Sequence, residues 1–90
     1  MQINREMSTH TKDGVVDWAS FGGYLRERRE RLGLSQAAFA VRLGCKQADV
    51  SRYEKGLRQP SVEVLIRYSR ALQLSPQHLT GQLFRHIDEK

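Results

Sequence analysis

The chain has one cysteine, Cys45, in 90 residues. A single thiol closes no intrachain disulfide and builds no multi-thiolate zinc site, so a reducing compartment is expected. Long apolar runs are also missing. The longest uninterrupted one, Ala37 to Val41, falls far short of the roughly 18–20 residues that a membrane span needs. Near the start, Arg5 and Glu6 are not followed by the apolar stretch of about 7–15 residues that marks a secretory signal. A cytoplasmic, membrane-free protein is therefore expected. The histidines, His10, His78 and His86, share no metal-ligand spacing and lie far in sequence from Cys45, so no metal is expected. Gly22 and Gly23 follow no strand and precede no lysine-serine pair, which excludes a phosphate loop. No nucleophile, base and orienting partner can be assembled, so neither catalysis nor a cofactor is expected.

What is present is positive charge. A chain of this size buries about 60–65% of its unfolded surface and supports one core. Its formal net charge is +5, which favours a polyanionic partner, nucleic acid first, over a neutral small substrate. The surplus is local. Between Phe21 and Gln59, nine basic residues (Arg26, Arg28, Arg29, Arg31, Arg42, Lys46, Arg52, Lys55 and Arg58) face only Glu27, Glu30, Asp49 and Glu54. A charge run is ordinarily a solvated helix face, but these residues recur across several elements, which makes a shared surface plausible.

Residues 1–16 are read as a flexible N-terminal arm, because 1–14 are polar and lack an apolar period. From Asp17 the pattern turns helical. Trp18, Phe21, Leu25 and Leu32 recur at helical spacing, with Asp17 or Ser20 as N-cap and Gly33 as the stop. Ser35 caps a second helix, striped by Phe39, Ala40 and Leu43 and ended by Gly44. A third, from about Gln47 to Lys55, has Val50 and Tyr53 on one face, with Gln47, Ala48, Ser51 and Arg52 on the other. Ser61 opens a fourth, with Val62, Leu65, Ile66, Ser69 and Leu72 as its apolar face, and Ser75-Pro76 opens a fifth carrying Leu79 and Leu83. No segment alternates long enough to read as a strand, so the fold class is all-α. The domain is placed at 17–81 and a C-terminal tail, a possible dimerisation extension, at 82–90.

Only Gly44, Cys45 and Lys46 separate the second and third helices, too few for an antiparallel helical hairpin and suited to a steep crossing. With the GLSQ opening, the YEKG exit and the Pro-Ser restart, this turn resembles the Cro and repressor-type helix-turn-helix regulators, the xenobiotic-response-element family. The resemblance runs from about Phe21 to Thr80. It implies a five-helix lambda-repressor-like domain with its helix-turn-helix at helices 2 and 3 and the third helix in a DNA major groove.

The resemblance further implies that Gln36 and the first turn of the second helix hold a phosphate, and that Gln47, Ala48 and Arg52 read bases. Their chemistry agrees: Gln pairs with adenine, Arg with guanine, and Ala touches a thymine methyl. Lys46 departs from the family, which has Ser or Thr at that cap. A cation there opposes the helix dipole by about 0.3–1 kcal/mol, so Lys46 is expected to touch a phosphate or a guanine; the alternative is a solvated lysine partly balanced by Asp49. Arg58 and Gln59 match the loop that grips the DNA backbone in relatives, with Lys55 and Ser51 beside it. Arg29 and Glu54 match a structural ion pair, and the spacing of Tyr53 from Val50 places it in the core.

One such domain reads few base pairs, so a homodimer on a near-palindromic operator is expected. Leu79, Leu83, Phe84 and Ile87 are the favoured dimer interface; Val15, Val16 and Trp18 are the alternative. With no sensing domain following the helices, repression is the simplest output. The rival function is a protein-interaction adaptor or antitoxin built on the same helical unit.

Overall fold

The computed structural model describes residues 15–88, so residues 1–14 of the expected arm, His10, and the last two residues of the tail lie outside the described residues. Five helices follow one another: α1 (Trp18–Arg31), α2 (Gln36–Leu43), α3 (Gln47–Lys55), α4 (Val62–Ala71) and α5 (Pro76–Arg85). Four of their starts are capped by a side chain. Asp17, Ser35, Ser61 and Ser75 accept from the backbone N–H of Ser20, Ala38, Val64 and His78 respectively, each satisfying one of the donors that a helix start leaves open. Between the two expected caps of α1, the structure selects Asp17.

Two short strands, absent from the sequence reading, close the molecule. β1 (Val15–Val16) pairs antiparallel with β2 (Ile87–Asp88), Val15 opposite Asp88 and Val16 opposite Ile87. The Asp17 N–H donates to the His86 carbonyl at 2.6 Å, and Ser20 Oγ lies 2.6 Å from His86 Nδ1. The ribbon thus ties the start of α1 to the end of α5 and carries the fold past 17–81. Two residues per strand are too few for an alternating signal, which is why the sequence shows none.

The core collects Phe21 and Leu25 of α1, Phe39, Ala40 and Leu43 of α2, Val50 and Tyr53 of α3, Leu65 and Tyr68 of α4 and Leu79 of α5. Phe39 and Tyr53 both set their rings against Tyr68, at centroid distances of 5.2 and 5.8 Å. Two expectations are corrected. Val62 is exposed; at the first position of α4 it lies outside the face made by Leu65, Tyr68, Ser69 and Leu72. Leu79, expected at a dimer interface, is 0% exposed and belongs to the core, because α5 turns this residue inward onto α4.

Close backbone contact places α3. A Cβ at Gly22 would collide with the carbonyl oxygens of Tyr53 and Glu54, and one at Gly56 would collide with the backbone of Ala19. Gly56 also takes φ 75, a left-handed conformation in which glycine carries no steric penalty. The end of α3 is therefore seated directly on the first turns of α1.

Candidate nucleic-acid interface

With Val50, Tyr53 and Glu54 turned inward, α3 presents Gln47, Ala48, Arg52 and Lys55 to solvent, with Ser51 half-buried beside them. Lys46, Arg58 and Gln59 are exposed next to this face. The structure thus brings the expected base readers and most of the expected phosphate contacts onto one side of the molecule.

A chain of hydrogen bonds runs from the core to that surface. Arg29 and Glu54 are each 6% exposed and form a two-point pair, Nε to Oε2 at 2.6 Å and Nη2 to Oε1 at 3.1 Å. The third guanidinium nitrogen of Arg29 donates to the Leu34 carbonyl at 2.6 Å. Glu54 Oε1 also accepts from Gln36 Nε2 at 2.9 Å, and Gln36 Oε1 accepts from Gln47 Nε2 at 3.3 Å. The Glu54 hydrogen bond holds the Arg29 guanidinium above its ordinary range, so Arg29 keeps its charge in the interior. Gln36, assigned to phosphate by resemblance, has both its amide nitrogen and its amide oxygen engaged inside the protein. In this structure it orients Gln47.

A second cluster surrounds Asp49, which the sequence reading treated only as a counter-charge to Lys46. The Lys46 side chain does not cap α3; Asp49 Oδ2 instead accepts from the Lys46 backbone N–H at 3.2 Å. Asp49 Oδ1 receives Arg58 at 2.9 Å and Arg52 at 3.4 Å. The Arg58 guanidinium also lies 5.6 Å from the centre of the Tyr53 ring. The spacing of Asp49 from Lys46 and Arg52 offered a helical signal for this hub. Arg58, beyond the end of the helix, comes to it only through the tertiary fold.

Charge on the first helix is largely compensated. Arg26 pairs with Glu30 at 3.0 Å, Arg31 with Glu27 at 3.4 Å, and Arg29 with Glu54. The basic surplus of the sequence therefore weighs on the turn, α3 and the loop after it. Cys45 sits half-buried in that turn. Burial, with the charge of Asp49 adding to it, pushes its thiol up, which favours the neutral form over a reactive thiolate. Among the described residues there is no cluster of histidine, cysteine and carboxylate suited to a metal ion, and no helix is long and apolar enough to cross a membrane.

Residues 20–82 match the model of the helix-turn-helix domain family. The chain is 36% identical over 58 residues to Repressor protein C2 of Salmonella phage P22, covering 64% of this chain and 27% of that protein. It is 30% identical over 63 residues to the HTH-type transcriptional regulator ImmR of Bacillus subtilis, covering 70% of this chain and 50% of that one. It thus spans between about a quarter and a half of these relatives. Among solved structures, it is similar to the restriction-modification controller protein C.AhdI from Aeromonas hydrophila, with TM-score 0.66 and 35% identity over 70% of this chain and 91% of that one. It is also similar to the P22 c2 repressor in complex with a synthetic operator, with TM-score 0.61 and 36% identity over 66% and 89% of the two chains.

Proposed function

This chain belongs to the helix-turn-helix domain family, and from that premise we propose that it is a sequence-specific regulator of transcription, of the xenobiotic-response-element type, that binds double-stranded DNA through α3. The observation that carries the reading is the held side chain of Gln47. Exposed glutamine is costly to order, because a free side chain of this kind loses about 1.5–2 kcal/mol of rotamer entropy when fixed. Here Gln36, Glu54 and Arg29 have already oriented it from the interior. A pre-positioned amide suits the paired donor and acceptor that adenine shows in the major groove.

On this reading Gln47, Ala48 and Arg52 meet base edges. Lys46 reaches a guanine or a phosphate beside them, and Gln36, Ser51, Lys55, Arg58 and Gln59 hold phosphates, which place the domain without reading sequence. The protein acts as a homodimer on a near-palindromic operator, its two recognition helices about 34 Å apart along one face of the duplex, and represses by occupying a promoter. The names of its relatives, a repressor and transcriptional regulators, support that direction.

Selecting bound duplexes from a random pool tests it. A consensus with dyad symmetry is expected, with log affinity falling steeply against log salt. Gln47→Ala should relax base choice at one position per half-site, by about tenfold. Arg58→Ala should weaken binding to selected and mixed sequences both and flatten the salt slope by about one. Recovery of no consensus, or a Gln47→Ala protein with unchanged base choice, would refute the reading.

A further inference from the structure

We propose that Asp49 is a positioning residue for DNA recognition, holding Arg52 and Arg58 as a charge-compensated unit whose release a specific site must provoke. The inference rests on α3 being the DNA-reading helix. Asp49 stands in the first turn of α3, half-buried at the flank of the face that carries Gln47, Ala48 and Arg52, close enough for its charge to be felt at that face. An unaccompanied carboxylate there would face the phosphates and oppose binding. Instead it meets two guanidiniums, Arg58 at 2.9 Å and Arg52 at 3.4 Å, and retains a net positive charge for the three groups together. One of these arginines belongs to the expected base readers and the other to the expected phosphate grips, so a single acid couples the two kinds of contact.

The coupling has a physical consequence. Both arginine side chains are about half exposed, at 53% and 54%, while that of Asp49 is 22% exposed. The acid is thus the fixed member, anchored to the Lys46 N–H, and the arginines are the members able to swing. Arg58 keeps the Tyr53 ring beneath it, which supports its guanidinium at the surface as it turns from the acid. On arbitrary DNA the arginines remain shared with Asp49, and part of their attraction for phosphate is spent internally. Where a guanine is in reach of Arg52, its two acceptors replace the carboxylate, and the acid is left to Arg58. Asp49 thereby weakens binding to the wrong sequence more than to the right one, which is how specificity arises from an unfavourable element.

The test compares the wild-type chain with Asp49→Asn and Asp49→Ala. Asparagine keeps a carbonyl oxygen for the Lys46 N–H but gives up the charge, separating cap from clamp. Binding is measured across a salt series to the duplex selected from a random pool and to a mixed-sequence duplex of equal length. Both variants are expected to bind the mixed duplex several-fold more tightly and to steepen the salt slope by about one, as an anion leaves the interface. Preference for the selected duplex should fall about tenfold. If both variants keep the wild-type preference and slope while Gln47→Ala still relaxes base choice, Asp49 is a helix cap only; the inference falls and the DNA reading stands. If both variants lose affinity for the two duplexes in parallel with a falling Tm, the inference likewise falls. If the wild type itself shows neither preference nor salt dependence, the underlying reading of α3 fails with it.

Discussion

Glu54 is the residue on which both the fold and the proposed reading face depend. Its carboxylate satisfies Arg29 in the interior and holds Gln36, which in turn holds Gln47. Removing one member of a buried pair strands the other's charge, at a cost of about 3–5 kcal/mol, a large part of the roughly 5–15 kcal/mol that stabilises a domain. Glu54→Ala is therefore expected to lower the unfolding free energy by an amount of that order, read as a lower midpoint at unchanged slope in a urea titration. Glu54→Gln, which retains an acceptor for Gln36, should cost less. The pairing of Arg29 with Glu54 was legible in the residues through their likeness to a family pattern. The hydrogen bonds of Gln36 to Glu54 and Gln47 were not legible, because nothing in a linear sequence shows that its amide meets both; its second amide N–H leaves the expected phosphate contact open to test.

At the scale of the element, the seat of α3 on α1 is decided by two adjacent glycines with opposite demands. A Cβ at Gly22 meets two carbonyl oxygens at the end of α3, whereas one at Gly23 meets nothing within 4 Å. Gly22→Ala should push the recognition helix off α1, at a cost of about 1–3 kcal/mol or more, and weaken DNA binding with it. Gly23→Ala, in the exposed interior of the same helix, should raise stability by about 0.5–1 kcal/mol through helix propensity and a less flexible unfolded chain. Thermal melts of the two variants, moving in opposite directions, check the crossing. The helices themselves were legible because caps, stops and apolar stripes are local: Asp17, Ser35, Ser61 and Ser75 all cap as residue type suggests. The inward turn of Tyr68 and the outward turn of Val62 were not, since the rings of Phe39 and Tyr53 packed on Tyr68 decide which side of α4 is covered.

At the scale of the whole molecule, the proposed homodimer would be left with the far end of α5 out of the surface expected for it. Leu79 is sealed in the core and Leu83 is half-buried against it, leaving Phe84 as the large exposed apolar side chain there, at 73%. Ile87 lies half-buried in the ribbon. Phe84→Asp is expected to weaken self-association about tenfold or more, as loss of an aromatic anchor does, while leaving the monomer's Tm near the wild-type value. Sedimentation equilibrium reads the first and calorimetry the second. A Phe84→Asp protein that still dimerises would move the interface elsewhere, with the exposed Val15 of β1 as the next surface to test.

Whatever depends on neighbours a few residues apart was settled by the amino-acid order alone. That covers five helices, their starts and stops, the short turn before α3, the excess of basic residues between Phe21 and Gln59, and the polar set on the outer side of α3. Those features rest on backbone hydrogen bonding and helical periodicity, which act over one or two turns. Contacts between distant segments were decided only by the tertiary structure. It joins Val16 to Ile87, draws Arg58 onto Asp49, hangs Gln47 on Gln36 and takes Leu79 from the surface. Each brings together groups whose separation along the chain carries no information about their separation in space until the core has closed.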